Sequence, residues 1–356
     1  MSNLQGKEVA MAHEIYIDNG KPSMMYVGKE PWHGLGTKLD RPATAEEAIR
    51  TANLDWEVEK QPLFAIGVNS MGTGSVALSI PDKFAVVRRD KWGQRNCPVL
   101  GIVGAEYTPL QNWEAFSFFD AIVGQRGAIY HTAGALGEGE RVWILAKLPS
   151  DIRVVGDDIA NKFLLLSSSH DGNSSVQIKF TPIRVVCQNT LTMALSQGPT
   201  IRVAHTKDLH QRLQEAEKVL GLIHNRFDQI EKSFQGMAKV KMNEERVSEY
   251  LNLVLPNPRS PEDEKGKRRA EQDRAAVEDY YINGRGNQMK GVSETLWAAY
   301  NGVTEYIDHR QRKQTRDRRL NSIWFGDGYL IKARAFKVAE EKIKPWATPK
   351  LTYGPL

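Results

Sequence analysis

The segment HDGNSSVQIKF, residues 170–180, contains the residue types with which some nucleases hold a magnesium ion. Asp171 lies at a predicted turn, and Gln177 and Lys179 lie two residues apart on one face of the strand that follows. An acid and an acid-x-lysine pair can bind the metal and activate water. Here Gln177 replaces the second acid and Asp171 is close in sequence, so a hairpin turn with a solvated polar face explains the segment better.

Three basic segments contain side chains suited to phosphate contacts. VVRRDKWGQR combines cations with an indole around a predicted turn, and IRVAHTKD sets cations at a predicted helix N-terminus, where free N–H groups favour anions. HRQRKQTRDRR, residues 309–319, has six Arg or Lys and one Asp, a local charge of about +5. The predicted nucleic-acid contacts in these segments are Arg88, Arg89, Lys91, Trp92, Arg202, His205, Lys207, Arg310, Arg312, Lys313, Arg316, Arg318 and Arg319.

The third basic segment has an alternative explanation as a solvated helix face. Aromatic residues flank it, and these are either base-stacking groups or core residues of the neighbouring helices. The flanking aromatic residues are Trp297, Tyr300, Tyr306 and Trp324.

A fourth candidate lies in FTPIRVVCQNTLTMAL, residues 180–195, where polar residues interrupt an apolar run. The pattern predicts a buried strand followed by a helix, with Asn189 or Thr190 capping that helix. The alternative is that Arg184, Gln188 and Asn189 line a phosphate site at the helix N-terminus.

Other common chemistries lack their signatures. The glycines of MGTGS and GEGE lie in predicted turns, and neither a Gly-Lys-Ser/Thr sequence nor a dinucleotide fingerprint follows. His131, His170 and His205 are scattered, which indicates surface or packing roles. Two cysteines, Cys97 and Cys187, are too few for a zinc cluster of thiolates or a disulfide framework. We therefore predict no cofactor and no metal, and a protein that is more readily non-enzymatic than catalytic.

Composition is that of a globular protein, with 356 residues, 41% hydrophobic residues and a net charge of +5. The basic balance, with a pI of about 9.0, permits a partner that carries phosphates. No apolar stretch reaches the roughly 18 residues that a membrane span needs, and the first residues lack a signal-peptide pattern. We expect a cytoplasmic protein that does not enter the membrane.

The elements that must position these residues are strands in the first two-thirds and helices after them. Hairpins are predicted at GEGE and HDGN, and residues 44–54 carry the capping-box pattern of a short helix. The fold class is α+β: a mixed, mostly antiparallel sheet with interspersed helices, followed by a helical C-terminal region. We predict five parts: a loop-rich segment 1–40, an α+β core 41–205, a long helix and helical hairpin 206–255, a charged helix or linker 256–291, and a helical region 292–356.

Five motifs, in order along almost the whole chain, resemble the DUF932 family: MAHEI at 11–15, PWHGLG at 31–36, YTPLQN at 107–112, RVVCQNTL at 184–191 and AYNGVTEYIDH at 299–309. The resemblance implies a phage or plasmid setting, where such genes often lie among those for DNA replication and recombination. It supplies no catalytic residues. Because the family commonly starts at the equivalent of Met11, residues 1–10 are expected to be an extension.

These observations favour a DNA-associated protein that binds single strands without sequence preference or anneals them, and that forms a homo-oligomer. A metal-dependent nuclease or another nucleic-acid-modifying enzyme is the first alternative. The second is a host-takeover or anti-defence protein that acts on a host protein through its long helices.

Overall fold

The computed structural model describes residues 15–28, 34–68, 74–95, 97–124, 129–184, 189–190, 200–203, 223–309 and 319–347. The chain forms two compact units, each assembled from segments that are distant in the sequence. The first contains Met1–Leu148, Leu164–Lys179 and Thr200–Gly221. The second contains Pro149–Phe163, Phe180–Pro199 and Leu222–Leu356.

The strands lie mostly in the first half of the chain and the helices mostly in the second. The strands are β1 (Ile17–Asp18), β2 (Lys21–Pro22), β3 (Met24–Val27), β4 (Thr37–Leu39), β5 (Val58–Val68), β6 (Ser75–Arg88), β7 (Val99–Gly104), β8 (Ile129–Leu136), β9 (Arg141–Val155), β10 (Asp158–Ser169), β11 (Val176–Phe180), β12 (Ile183–Arg184), β13 (Asn189–Thr190) and β14 (Thr200–Val203). The helices are α1 (Ala45–Thr51), α2 (Asn112–Gly124), α3 (Ile223–Lys239), α4 (Glu244–Val254), α5 (Glu264–Asn283), α6 (Leu296–His309), α7 (Arg319–Trp324) and α8 (Asp327–Ala347).

Antiparallel pairing dominates the sheets. In the first unit β3 runs antiparallel to β8 and parallel to β4, β8 pairs antiparallel with β9, and β11 pairs antiparallel with β14. A separate sheet has the order β5-β6-β7, with both pairings antiparallel. In the second unit β12 pairs with β10 and with β13. With the helices at the C-terminal end, this arrangement confirms the predicted α+β class.

Local signals explain why several elements form where they do. Thr44 Oγ1 accepts the N–H of Glu47 at 3.2 Å, and the Glu47 carboxylate accepts the N–H of Thr44 at 3.1 Å, so the predicted capping box of α1 is confirmed. The GEGE turn joins β8 to β9, with Gly137 at φ +69° and Gly139 at φ +100°. Glycine adopts these positive φ values without the steric cost that other residues meet there.

One boundary and one turn differ from the predictions. In the sequence, Ser260 followed by Pro261 and a run of acids predicts a helix capped by Ser260. In the structure the N-cap of α5 is Asp263, whose side chain accepts the N–H of Gly266 at 2.8 Å. Strand β9 continues to Val155 and turns into β10 at Asp158, a hairpin that the sequence analysis did not identify. The long helix predicted from residue 206 is described only from Ile223.

The second unit has an aromatic core around helix α6. The ring of Phe234 lies 4.6 Å from that of Trp297 and 6.1 Å from that of Phe336, and the Tyr300 ring lies 6.0 Å from Phe336. Most residues of α6 are buried, so this helix is enclosed by its neighbours. Along the described residues, no helix combines the length and the apolar character that crossing a membrane requires.

Candidate functional site

Arg88 ends strand β6 and points into the first unit rather than toward solvent. It is 1% exposed, and its guanidinium donates to Asp18 Oδ2 at 2.9 Å and to Asp90 Oδ2 at 2.6 Å. The guanidinium carbon also lies 4.7 Å from the ring centroid of Trp56 and 5.4 Å from that of Tyr16. Buried and paired in this way, Arg88 is not placed to contact a phosphate, which corrects the expectation for this residue.

The cations next to Arg88 are also balanced by acids. Arg89 pairs with Glu57 and Glu59, and Lys91 Nζ donates to Asp18 Oδ1 at 2.8 Å. Burial acts to raise the pKa of the Asp18 carboxyl, but the hydrogen bond from Lys91 and the charge of Arg88 outweigh it and hold that pKa below its usual value. Three cations thus meet four carboxylates here, so this segment offers no excess of positive charge. Trp92, by contrast, has an exposed indole.

Asp171 uses its carboxylate to organise the turn between β10 and β11. Oδ1 accepts the hydroxyl of Ser169 and, at 2.8 Å, the N–H of Asn173, while Gly172 has φ +74°. Gln177 is half-buried and Lys179 is buried. Among the described residues no group of three His, Cys, Asp or Glu side chains could hold a metal ion. The hydrogen bonds of Asp171 and the positive φ of Gly172 are those of the hairpin turn, the alternative to the nuclease interpretation of Asp171, Gln177 and Lys179.

His170, next to that turn, is part of a buried polar contact that the sequence analysis did not find. Its Nε2 lies 3.0 Å from Asn112 Oδ1, and its ring packs edge-on against Trp56 at 5.5 Å between centroids. Asn112 in turn donates from Nδ2 to the carbonyl of Leu54 at 3.0 Å. Tyr107 donates its hydroxyl to the Ser169 carbonyl at 3.0 Å, and burial raises the pKa of that hydroxyl.

The YTPLQN motif therefore has a structural role in this unit. Its Gln111 side chain accepts the N–H of Val58 and donates to the carbonyl of the same residue, both at 2.9 Å, which fixes the start of β5 beside α2. Hydrogen bonds from Gln111, Asn112 and Tyr107 tie three separate segments together. Long-range hydrogen bonds of this kind give these residues a role in holding the unit together.

The AYNGVTEYIDH motif forms most of helix α6 in the second unit and turns polar groups inward. Asn301 Nδ2 donates to the Trp297 carbonyl at 2.8 Å, and the Glu305 carboxylate accepts the N–H of Arg285 at 3.0 Å. Asp308 Oδ1 accepts from Lys332 Nζ at 2.8 Å, and both side chains are buried. Burial lowers the pKa of Lys332, and the charge and hydrogen bond of Asp308 offset this only in part.

Close packing explains the glycine of the same motif. A Cβ at Gly302 would lie 2.9 Å from the backbone nitrogen of Tyr281 and 3.1 Å from the carbonyl oxygen of Val277, both in α5. The absence of a side chain at this position lets α5 and α6 approach each other closely. The motif is thus explained by the packing of buried helices.

The aromatic residues that flank the 309–319 segment belong to the core. Trp297 and Tyr300 are fully buried, and Tyr306 and Trp324 are at most 8% exposed. The Trp297 indole donates to Asp158 Oδ2 at 2.7 Å, and the Tyr306 hydroxyl donates to Asp273 Oδ1 at 2.7 Å. They are core residues, as the alternative explanation expected, and they are not placed to stack on bases.

The described residues on either side of the polar junction form a short strand pair. Arg184 in β12 pairs with Asn189 in β13, and Ile183 pairs with Thr190. Asn189 and Thr190 are therefore strand residues, and the helix that one of them was predicted to cap lies outside the described residues. Arg184 and Asn189 do lie at paired backbone positions, as a shared site would require.

Most of the remaining predicted contacts lie outside the described residues. Arg202 is in β14, opposite Gln177 of β11, and Arg319 begins α7. Those outside the described residues are Gln188, His205, Lys207, Arg310, Arg312, Lys313, Arg316 and Arg318.

Comparison with known proteins gives a family. The family described as "Domain of unknown function (DUF932)" matches residues 99–324, which is more than half of the chain. The chain is also similar to the UPF0380 protein YafZ of Escherichia coli (strain K12), with 27% identity over 175 residues. That match covers 48% of this chain and 56% of YafZ, so the chain spans little more than half the length of this relative. No solved structure matches the chain. From its five motifs and the match over residues 99–324, the chain belongs to the DUF932 family.

Proposed function

We propose that this protein binds nucleic acid through the phosphate backbone, with residues 309–319 as the main contact segment. This segment joins α6 to α7 and has six Arg or Lys against one Asp. A segment with this charge binds phosphates irrespective of sequence and releases condensed counterions as it does so. The finer proposal is a single-strand binding or strand-annealing role in the replication or recombination of a mobile element.

The observation that carries the proposal is the buried pair between Asp308 and Lys332. Asp308 is the acid next to the basic segment in the sequence, and its carboxylate is occupied by Lys332 at 2.8 Å inside the second unit. Glu305, the preceding acid, accepts the backbone N–H of Arg285. The two acids closest before the segment thus each have a partner inside the second unit.

The contrast with the Arg88 segment strengthens this choice. There Arg88, Arg89 and Lys91 all have carboxylate partners, which are Asp18, Asp90, Glu57 and Glu59. A paired surface cation gains little from a phosphate, because it must first give up its own partner. Trp92, which is 54% exposed, remains the stacking candidate in that region.

Fluorescence anisotropy with labelled single-stranded and double-stranded DNA of equal length, at 50 and 200 mM salt, tests the proposal. Changing Arg310, Arg312 and Arg316 to Gln should weaken binding to both forms and reduce the slope of log K against log salt by about 2. The matched control changes Lys265, Arg268 and Arg269 of α5 to Gln, which removes the same charge from a described surface. Equal losses in the two variants, or wild-type binding that ignores salt, would overturn the assignment.

Trp92→Ala tests the single-strand preference separately. Loss of a stacking platform should weaken single-stranded binding by roughly 5-fold to 150-fold, from about 1–3 kcal/mol per stacked base, and leave duplex binding nearly unchanged. Trp113→Ala, at another exposed indole of the first unit, is the control. An equal effect on both forms of DNA would remove the single-strand proposal and leave phosphate binding in place.

A further inference from the structure

Strands β5 and β6 extend beyond their sheet as a two-stranded ribbon. Strand β7 pairs with β6 only over Lys83–Val87, and the β5–β6 register shifts between Pro62 and Phe64. Asp82, on the β6 side of this shift, has φ +56°. We call the paired residues beyond the shift, 64–68 and 75–79, the β-arm. Among the described residues, no third strand pairs with it.

The β-arm is apolar and exposed on both faces. Its five large aliphatic or aromatic side chains are between 41% and 77% exposed, and together with neighbouring Ile80 they expose roughly 700 Å² of apolar surface. Residues 62–81 include no charged residue, although 26% of the chain is charged. An isolated two-stranded ribbon is marginally stable in water, and an exposed apolar patch of this size marks an interaction surface.

On each face of the β-arm, the large side chains lie on one strand and the small side chains on the other. Residues paired directly across an antiparallel ribbon share a face, so one face has its large residues on β5 and its small ones on β6. The pairs on this face are Phe64 with Ser79, Ile66 with Ala77 and Val68 with Ser75. On the other face the large residues are on β6. The pairs there are Ala65 with Leu78 and Gly67 with Val76.

This separation makes the face of Ile66 complementary to a second copy of itself. If two ribbons stack about a two-fold axis parallel to their length, the β5 row of one copy lies over the β6 row of the other. Large side chains then fill the space above Ser75, Ala77 and Ser79 at both contacts. A two-fold contact of identical patches is the usual geometry of homodimers.

The chemistry of the β-arm argues against a nucleic-acid or lipid partner. A segment without Lys or Arg offers nothing to neutralise phosphates. A two-stranded ribbon has open edges, whose backbone N–H and C=O groups cannot be satisfied in hydrocarbon. A protein surface with matching apolar rows fits, and the chain itself supplies one.

We propose that the β-arm is a homodimerisation surface, in which the Phe64–Val68 row of one chain packs on the Ser75–Ser79 row of the other. The contact uses one face of the β-arm, which carries only part of its exposed apolar surface, so it lies at the lower end of specific interfaces. The dimer is therefore reversible and concentration-dependent.

Sedimentation velocity of the full chain, after nuclease treatment and a high-salt wash to remove bridging nucleic acid, tests this surface. Wild-type protein should be dimeric at tens of micromolar, and Ile66→Lys should be monomeric because it places a charge in the contact. Leu330→Lys, at an exposed apolar residue of α8, should remain dimeric. Circular dichroism checks the fold of each variant, and substitution of these exposed side chains should leave it unchanged.

Ala77→Leu distinguishes specific packing of the large row on the small row from non-specific apolar association. The added bulk fills the space that the partner's large row needs, so dimerisation should weaken at least 10-fold although the surface becomes more apolar. A dimer that is unchanged or stronger in Ala77→Leu, or a wild-type protein that is monomeric at tens of micromolar, would overturn the proposal.

Discussion

The buried ion pair of the second unit allows a sharp test of how its helices are held together. Lys332 Nζ donates to Asp308 Oδ1 at 2.8 Å, with side chains 0% and 5% exposed. Lys332→Met leaves the Asp308 carboxylate buried without its cation, and such single changes cost about 3 to 5 kcal/mol. Asp308→Leu with Lys332→Met replaces the pair by apolar side chains. The free energy of unfolding of this double variant should be within about 1 kcal/mol of the wild-type value or above it.

Urea unfolding followed by circular dichroism measures these free energies, and the two single variants with the double variant form a complete cycle. The exposed pair Lys337–Glu341 on the same helix, 3.9 Å apart with side chains 66% and 62% exposed, is the control. Its removal should change stability by less than about 0.5 kcal/mol. If the effects of Asp308→Leu and Lys332→Met simply add, the reasoning that burial makes each charge depend on the other is refuted.

The pH dependence gives a second readout of the same pair. Burial lowers the pKa of Lys332, and Asp308 offsets this only partly. Between that lowered pKa and the usual lysine value, the unfolded chain binds more protons than the folded one, so this group makes stability rise with pH. Lys332→Met should remove that rise, whereas Lys337→Met should keep it.

Three further changes test other contacts. Burial, with a smaller contribution from Lys147, lowers the pKa of His131 to about 4. The free energy of unfolding should therefore fall by up to about 3 kcal/mol as the pH drops from about 6.5 to about 4. In urea titrations His131→Gln should reduce this loss. Gly302→Ala should destabilise the protein by about 1 to 3 kcal/mol, because its Cβ meets the α5 backbone. Gly104→Ala, at a position with open space, is the control and should not destabilise it. Equal melting temperatures of the two variants would contradict the packing argument. Asp18→Asn should lower the free energy of unfolding by about 2 kcal/mol, because it leaves Arg88 with Asp90 as its remaining carboxylate. Because the pKa of Asp18 is held low, the variant should also lack part of the stability that the wild type loses as the pH falls below about 4. An unchanged loss of stability at acidic pH would count against the Asp18 contacts.

Elements with a strong local signal were predicted correctly from the sequence. The helical spacing and terminal glycine of NWEAFSFFDAIVG predict a helix, and this segment forms α2, Asn112–Gly124. NEERVSEYLNLVL is also predicted as a helix and forms α4; in the structure Asn243 is its N-cap. The turns GEGE and HDGN join strands as expected. Each of these depends on interactions within a few residues, which the order of amino acids specifies directly.

The pairing of residues 183–184 with 189–190 is a feature that local reasoning did not predict. Asn and Thr after an apolar run are typical of a helix cap, and the structure shows in addition that Asn189 pairs with Arg184 and Thr190 with Ile183. Pairing of β12 with β10 provides the neighbouring strand. Strand pairing satisfies backbone groups through residues distant in the sequence, so a short local pattern does not specify it.

The candidate site shows the same difference between what local sequence patterns predict and what long-range contacts decide. Sequence located the cations, but only the fold shows that Arg88, Arg89 and Lys91 are balanced by acids up to 73 residues away, as in the Lys91–Asp18 hydrogen bond. It also shows that Asp308 is paired with Lys332, 24 residues later. Charge balance depends on distances in space, and sequence separation does not predict these distances.

By itself the sequence determined the family, the α+β class, the capping box of α1, the tight turns, and the positions of the basic and uncharged segments, because composition and short-range spacing encode them. Only the tertiary structure decided which polar motifs are internal ties, which cations are already paired, and that the uncharged stretch of β5 and β6 is exposed on both faces. Burial and pairing arise when distant segments meet, and the free energy of a charge or an apolar side chain depends on that environment.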